Sequence, residues 1–244
     1  MSGPAPVPVY GYSLVATFPH DPTESTEGFF YLNGFFYESS GQPEANSISN
    51  LRKVEIETGA PVQNLELAAT IFAEGITPWN DTVVMVTYEN QTAFVYDLGD
   101  LTTKRKTFQY QGQGWGLTQD GTRLIMSDGT PVIRFFDPAT FAPLGSIEVT
   151  YEGSPWPGCN ELEYVNGEIW ANVWGTNQIA RMSPSDGAIT GWIDLMSLYP
   201  PSQRPSSARE MNGIAYDEVE DRIFVTGKCW PSVFQIVVTP PAGY

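Results

Sequence analysis

Histidine occurs once in this chain of 244 residues, as His20, and cysteine twice, as Cys159 and Cys229. So small a supply nearly excludes a zinc site, which draws its ligands mainly from those two residue types, and no metal or other cofactor is expected. A Ser-His-Asp hydrolase would have only His20 to use. That residue lies in the turn-like stretch PHDP, and no GxSxG motif is present to carry a nucleophile, so His20 reads as structural. Two cysteines do not fix the redox compartment, because a pair is compatible with buried thiols or with one bridge.

Basic residues are also scarce, 12 Lys and Arg against 28 Asp and Glu, a formal net charge of −16. Such a chain is repelled by a phosphate backbone and by anionic lipid, so neither nucleic acid nor a membrane surface is expected as a partner. Cationic small molecules and amine-bearing peptides match it better, unless the acidic surface only keeps the chain dissolved. No apolar run approaches the roughly 18 residues of a membrane span. The opening Met1 to Pro8 is uncharged and proline-rich, which reads as a processed end rather than a signal peptide. With 13% aromatics and no long polar run, the rest reads as globular. A single domain over residues 10–244, behind a flexible segment 1–9, suits the length.

What the chain has in quantity is turns followed by alternating apolar runs. Turn signals at Asn33-Gly34, Asn80-Asp81, Asp120-Gly121, Asn166-Gly167 and Glu220-Asp221 recur about every 40 to 54 residues, the period of propeller blades. Before each turn stands a run that would open a blade: EGFFYL, AEGITPW, WGLTQD, NELEYV and NGIAYD. After each come two further strands, as in IWANVWG and QIARMSPSDG around the Asn-Gly hairpin signal. The pattern predicts an all-β, five-bladed propeller. An extra strand over Tyr12 to Phe18 would close the last blade, removing a ring opening by pairing the two chain ends. Helix-compatible pieces near Leu195 to Leu198 and Pro205 to Met211 sit in the longest connection, broken by Pro200-Pro201 and Pro205. A connection of that length is more often functional than idle.

Innermost strands line a propeller's central channel, so the heads of these runs face a common axis. They supply Glu27, Glu74, Trp115, Asn160 and Asn212, while later strand ends supply Trp174 and Lys228. With histidine and cysteine so rare, carboxylates are the natural proton carriers. Glu74, in FAEGITPW beside Gly75 and apolar neighbours, is the best placed. Desolvation there would raise its proton affinity and suit it to acid–base work near neutrality, although backbone amides could equally satisfy it as a structural residue.

Long phrases across the chain, among them FPHDPTESTEG, FAEGIT, GQGWGLTQDGTRLIMSDGT, NELEYVNGEIWANVWGTNQIARMSP and NGIAYD with VTGKCWP, resemble the plant and bacterial type of glutaminyl cyclase. The likeness runs from His20 to Phe234 in the family order. It implies a monomeric, extracytoplasmic five-bladed propeller that converts the N-terminal glutamine of peptides to pyroglutamate and releases ammonia without a metal. Carried onto matching positions, it implies Glu74 as proton shuttle, Asn160 and Lys228 as groups that hold and polarise the substrate, and Trp115 and Trp174 as pocket walls. The family has glutamine where this chain has Glu27, and an aromatic where it has Ser25. An amide-binding role therefore does not transfer unchanged, and a second carboxylate could attract the substrate ammonium or raise the proton affinity of Glu74. If Asn160 and Lys228 converge, their neighbours Cys159 and Cys229 could be close enough to bridge. Two rival readings stay open, a propeller that binds peptides without turnover and a metal-dependent propeller lactonase or hydrolase.

Overall fold

The computed structural model describes residues 6–42 and 48–241. Apart from a single 3-10 turn at Pro201–Gln203, its regular elements are strands. In chain order they are β1 (Val9–Pro19), β2 (Thr26–Leu32), β3 (Phe35–Ser40), β4 (Asn50–Glu55), β5 (Pro61–Glu66), β6 (Ala73–Trp79), β7 (Thr82–Thr87), β8 (Thr92–Asp97), β9 (Lys104–Gln109), β10 (Leu117–Gln119), β11 (Leu124–Met126), β12 (Val132–Phe136), β13 (Pro143–Glu148), the short hairpin β14 (Thr150–Tyr151) and β15 (Ser154–Pro155), β16 (Cys159–Val165), β17 (Glu168–Val173), β18 (Gln178–Met182), β19 (Ile189–Asp194), β20 (Met211–Asp217), β21 (Arg222–Gly227) and β22 (Ser232–Thr239). The helix-compatible pieces close only as isolated turns, Leu198 N to Leu195 O and Ala208 N to Pro205 O.

β2 to β5, β6 to β9 and β10 to β13 form four-stranded antiparallel sheets. A further sheet runs β16-β17-β18-β19-β1-β22-β21-β20. Among the described residues, its two halves are joined by strand pairing only where Val9 and Tyr10 of β1 pair parallel with Trp192 and Ile193 of β19. From Gly11 to Pro19, β1 pairs antiparallel with β22, so the first strand of the chain lies along the last. Residues 1–5 of the expected flexible segment lie outside the described residues. Val7 already packs on the core formed around Trp192, and the Trp192 amide donates to Pro8 O.

The local signals explain where the strands turn. Asn33, Asn80, Asn166 and Asp221 take positive φ (49–53°), which short polar side chains tolerate; Gly34 and Gly167 follow two of them at 85° and 87°, and Gly121 in the Asp120 turn takes 81°. Each sheet is covered on both faces, so second strands such as TVVMVT are buried almost throughout. Separate apolar clusters fill the interfaces between neighbouring sheets. Phe30 and Tyr37 pack with Ile76 and Met85, Val84 and Val86 with Leu117 and Phe136, and Ile125 and Phe135 with Leu162 and Ile169. Trp170 and Ile179 pack with Ile214 and Val225, and Phe29 and Phe36 with Ala215 and Phe224. The last sheet therefore packs on the first, and the arrangement closes on itself like a propeller.

At the centre the heads of β2, β6, β16 and β20 and the residues preceding β10 meet backbone to backbone. A Cβ added at Gly28 would strike the backbone of Gly75 and Ile76, one at Gly75 the backbone of 115–117, and one at Gly116 the Asn160 carbonyl. Gly213 is crowded by side chains instead, Thr226 at 2.8 Å and Phe29 and Thr26 at 3.3 Å from an added Cβ. Glycine is required at the first three positions because the strands approach too closely for any side chain. Pairing slips at these heads, between Thr26 and Gly28, Ala73 and Ile76, Cys159 and Leu162, and Met211 and Ile214. Such bulges re-aim the side chains they carry. Side chains from the second strands tie the heads across sheets: Ser39 Oγ donates to Glu74 O (2.5 Å), Ser127 Oγ to Asn160 O (2.7 Å), and Gly213 N to Asn172 Oδ1 (2.8 Å).

A buried ion network fastens the first strand of this ring to the end of the chain. His20 is 8% exposed and has acceptors on both ring nitrogens, Trp230 O on Nδ1 (2.6 Å) and Glu38 Oε1 on Nε2 (2.9 Å). Glu38 also accepts from Thr26 Oγ1 (2.6 Å) and Arg52 (2.8 Å). Burial opposes the Glu38 charge, but His20 and Arg52 overcome it and hold this carboxyl down at about 2. The same burial opposes an imidazolium at His20, and Glu38 outweighs it and raises the His20 pKa.

Two stability measurements check this framework. Gly116→Ala should cost about 3 kcal/mol in denaturant unfolding because backbone must move, whereas Gly121→Ala, with open space around it, should cost only about 1 kcal/mol for its positive φ; equal costs would contradict the ring contact. Glu38, with its lowered pKa, contributes stability that is present above its ordinary value of 4.5 and is lost as pH falls toward about 2. Glu38→Gln should thus flatten the stability curve between those pH values while removing about 3–5 kcal/mol near neutrality, as expected for a broken buried ion pair.

Candidate active site

The ring of strand heads decides which side chains share one end of the channel. Glu27, Glu74, Asn160 and Asn212 are 3%, 6%, 3% and 0% exposed, and Trp115 is half-buried between the heads carrying Glu74 and Asn160. Asn212 completes the circle, its Nδ2 donating to Thr26 O (2.8 Å) while its Oδ1 finds no partner among the described residues.

Lys228 follows the end of β21 and reaches into this end of the channel. Its Nζ lies 2.7 Å from Glu27 Oε2 and 3.4 Å from Glu210 Oε1. The long connection before β20 holds Lys228 by its backbone, with Arg209 N donating to Lys228 O (2.9 Å) and Lys228 N to Glu210 O (3.0 Å). Arg204 anchors that connection, sending Nε to Tyr199 O (2.8 Å) and resting 4.5 Å from the Trp230 ring centroid. On the other side, Cys229 N donates to Glu24 O (2.8 Å). Cys159 and Cys229 are both buried and both free, so the bridge left open above is not formed.

Electrostatically the site is three carboxyl groups around one ammonium. Burial is the main force on Glu27 and pushes its carboxyl up to about 7 against the pull of Lys228. Burial likewise raises Glu74 well above the ordinary range, with the Glu27 charge adding to the effect and Lys228 opposing it. Glu74 is therefore the neutral acid of the pair near pH 7. Its carboxyl makes no hydrogen bond to the described residues. Burial also opposes the Lys228 charge, but Glu27, Glu74 and Glu210 together raise its pKa.

The two tryptophans sit as a pair at the rim. Their ring centroids are 6.4 Å apart in a T-shaped arrangement, and Trp174, which follows β17, is 60% exposed. Trp115 is steadied by Nε1 donating to Gln113 Oε1 (3.0 Å) and by close packing on Gly129. A polar nest backed by fixed backbone and walled by indoles suits a small amine-bearing group. Among the described residues, no group of three or more His, Cys, Asp and Glu side chains is placed to hold a metal ion.

All six residues singled out by sequence, Glu74, Asn160, Lys228, Glu27, Trp115 and Trp174, thus fall at one end of the channel. Sequence reading missed Glu210, Gln113 and Tyr110, whose hydroxyl donates to Thr87 O (2.5 Å) and whose raised pKa comes from burial with a contribution from Glu74. Only Glu210 had a usable signal, its place in the connection expected to be functional. It also missed Glu161, which stands where the other strand heads have glycine and accepts from Ile214 N (2.9 Å) and Phe29 N (3.4 Å) across the axis. A cavity of about 560 Å³ lies at the far end of the same strands, lined by turn residues such as Asn33, Gly121 and Asn166. It touches none of the six.

Comparison with known proteins adds an independent line. A glutaminyl-peptide cyclotransferase of Arabidopsis thaliana is 41% identical over 228 residues, covering 91% of this chain and 70% of that protein. The crystal structure of Myxococcus xanthus glutaminyl cyclase superposes with a TM-score of 0.87 at 30% identity, over 97% of this chain and 99% of that one. The family model for glutamine cyclotransferases matches residues 2–238. With nearly its whole length matched in this way, the chain belongs to the glutamine cyclotransferase family.

Proposed function

We propose that this chain is a glutaminyl-peptide cyclotransferase built as a five-bladed propeller, closing the N-terminal glutamine of peptides to pyroglutamate by metal-independent acid–base catalysis at the Glu74 end of its channel. The observation that carries the site assignment is the buried meeting of Glu74, Glu27 and Lys228 within a chain of this family.

The reaction needs three things that these groups can supply. Holding the α-amine against the side-chain carbonyl turns ring closure into an oriented intramolecular step, which accounts for much of the rate. Charge then develops on the carbonyl oxygen, and the donors we assign to it are Asn160 and Lys228. Ammonia leaves only once its nitrogen is protonated. Glu74, neutral at rest, gives its proton to the departing nitrogen and regains one from the ring nitrogen, an exchange worth about 10² to 10⁴ in rate. Trp115 and Trp174 exclude water from one wall. The acceptor class is peptides beginning with glutamine, and the family resemblance supports a monomer with an extracytoplasmic address. Among the described residues no helix is long and apolar enough to cross a membrane.

Ammonia release from a glutaminyl dipeptide tests the assignment. Glu74→Gln should lower kcat by at least about 100-fold with an unchanged melting temperature, and retained turnover in that variant would refute the shuttle role. Saturating chelator should leave the wild-type rate unchanged; a rate abolished by chelator and restored by a divalent ion would replace this mechanism with a metal-assisted one.

A further inference from the structure

Glu27 is the group for which the shuttle scheme leaves no task, and its surroundings are specific. It is 3% exposed, and one carboxylate oxygen is committed to Lys228 at 2.7 Å. The other oxygen has only a long contact from Ser25 Oγ, 3.4 Å, and lies near Gly41 and the Phe72 ring, so that a Cβ added at Gly41 would come within 2.8 Å of it. Around the Lys228 ammonium stand Glu27, Glu74 and Glu210, with Glu27 also acting on Glu74 and acted on by Glu210, Tyr110 beyond Glu74, and Cys229, Glu24 and Arg209 behind the lysine. With Glu74 neutral, Lys228 is shared between Glu27 and Glu210. An ionised Glu27 thus has only part of a lysine for its buried carboxylate, and a second cation at its less-bonded oxygen would complete the compensation.

We propose that Glu27 is the receptor for the substrate's α-ammonium and the base that takes its first proton, so that the enzyme captures the charged peptide and frees the nucleophile inside the site. This rests on the cyclotransferase reading of the same site. The proton count closes as follows. The incoming nitrogen is an ammonium bearing three protons, and it gives one to the Glu27 carboxylate to become the neutral amine. That amine attacks the side-chain amide carbon, forming the new C–N bond. Glu74 protonates the amide nitrogen as the old C–N bond breaks, and the ring nitrogen returns one proton to Glu74. Ammonia then takes the proton held by Glu27 and leaves as ammonium, which resets both carboxyl groups. Glu27 near 7 and an α-amine of roughly 7.7 to 8.0 exchange a proton at a cost of only about tenfold. Glu74 could not do this while it is protonated, so the two carboxyls divide the work according to their surroundings.

The test separates ammonium recognition from turnover. Norleucyl-alanine carries the ammonium but no side-chain amide, and hexanoyl-alanine is its analogue without the amine. As competitive inhibitors at about pH 7.5, where Glu27 is mostly ionised and the α-amine still mostly protonated, the first should bind wild-type enzyme at least about tenfold more tightly than the second, as expected for a charge-assisted contact. In Glu27→Gln the preference should fall to near unity, and the acid limb of kcat/KM should move up to the amine's own pKa. Glu27→Asp, which keeps the charge, should retain part of the preference and carries the test if the glutamine variant does not fold by circular dichroism. An equal preference in wild type and Glu27→Gln, or none in wild type, overturns the proposal. Wild-type enzyme that prefers norleucyl-alanine yet releases no ammonia from glutaminyl-alanine would instead overturn the cyclotransferase reading and leave the cation receptor standing.

Discussion

Backbone pressed on backbone at the axis is the constraint from which the rest follows. Where Gly28, Gly75 and Gly116 face their neighbours there is no room for a side chain, and Gly213 is hemmed in by the side chains of Thr226, Phe29 and Thr26. The bulges at these heads aim Glu27, Glu74 and Asn212, together with Asn160 at the head that carries Glu161, toward one end of the channel. Rigid elements position functional groups better than loops do. Here the rigidity comes from glycine contacts and from hydroxyls such as those of Ser39 and Ser127 that stitch one sheet's inner strand to the next.

Lys228 is the exception, because it comes from the end of a second strand and needs its own supports. It has them on two sides, the Arg209–Glu210 segment pairing with its backbone and the His20–Glu38–Arg52 network holding Trp230. That network also grips Thr26, the neighbour of Glu27. Both partners of the Glu27–Lys228 pair are thus tied to one buried cluster, which keeps an ion pair of short reach from dissolving into water.

Much of this was legible beforehand because the signals are local. Asn166-Gly167 announces a hairpin by itself, strand alternation is written into runs such as EIWANV, and the head of each inner run could be read by its position before the turn. The long likeness to glutaminyl cyclases supplied roles that no periodicity contains. What stayed hidden depends on contacts across the ring. Nothing in the sequence around Glu210 says that its backbone pairs with Lys228, and nothing around His20 says that its ring lies between Trp230 and Glu38. The strand read from Trp115 begins only at Leu117, since Trp115 and Gly116 are held by Ser127 rather than by a regular ladder.

Glu161 has a consequence for assembly. Its carboxyl, fully buried and pushed well above the ordinary carboxylate range by that burial with Glu163 adding to it, accepts from Ile214 N of β20 and, at longer range, from Phe29 N of β2. One side chain of β16 thereby fastens two other inner strands that share no ladder with it, doing with a single carboxyl what a sheet does with a row of amides.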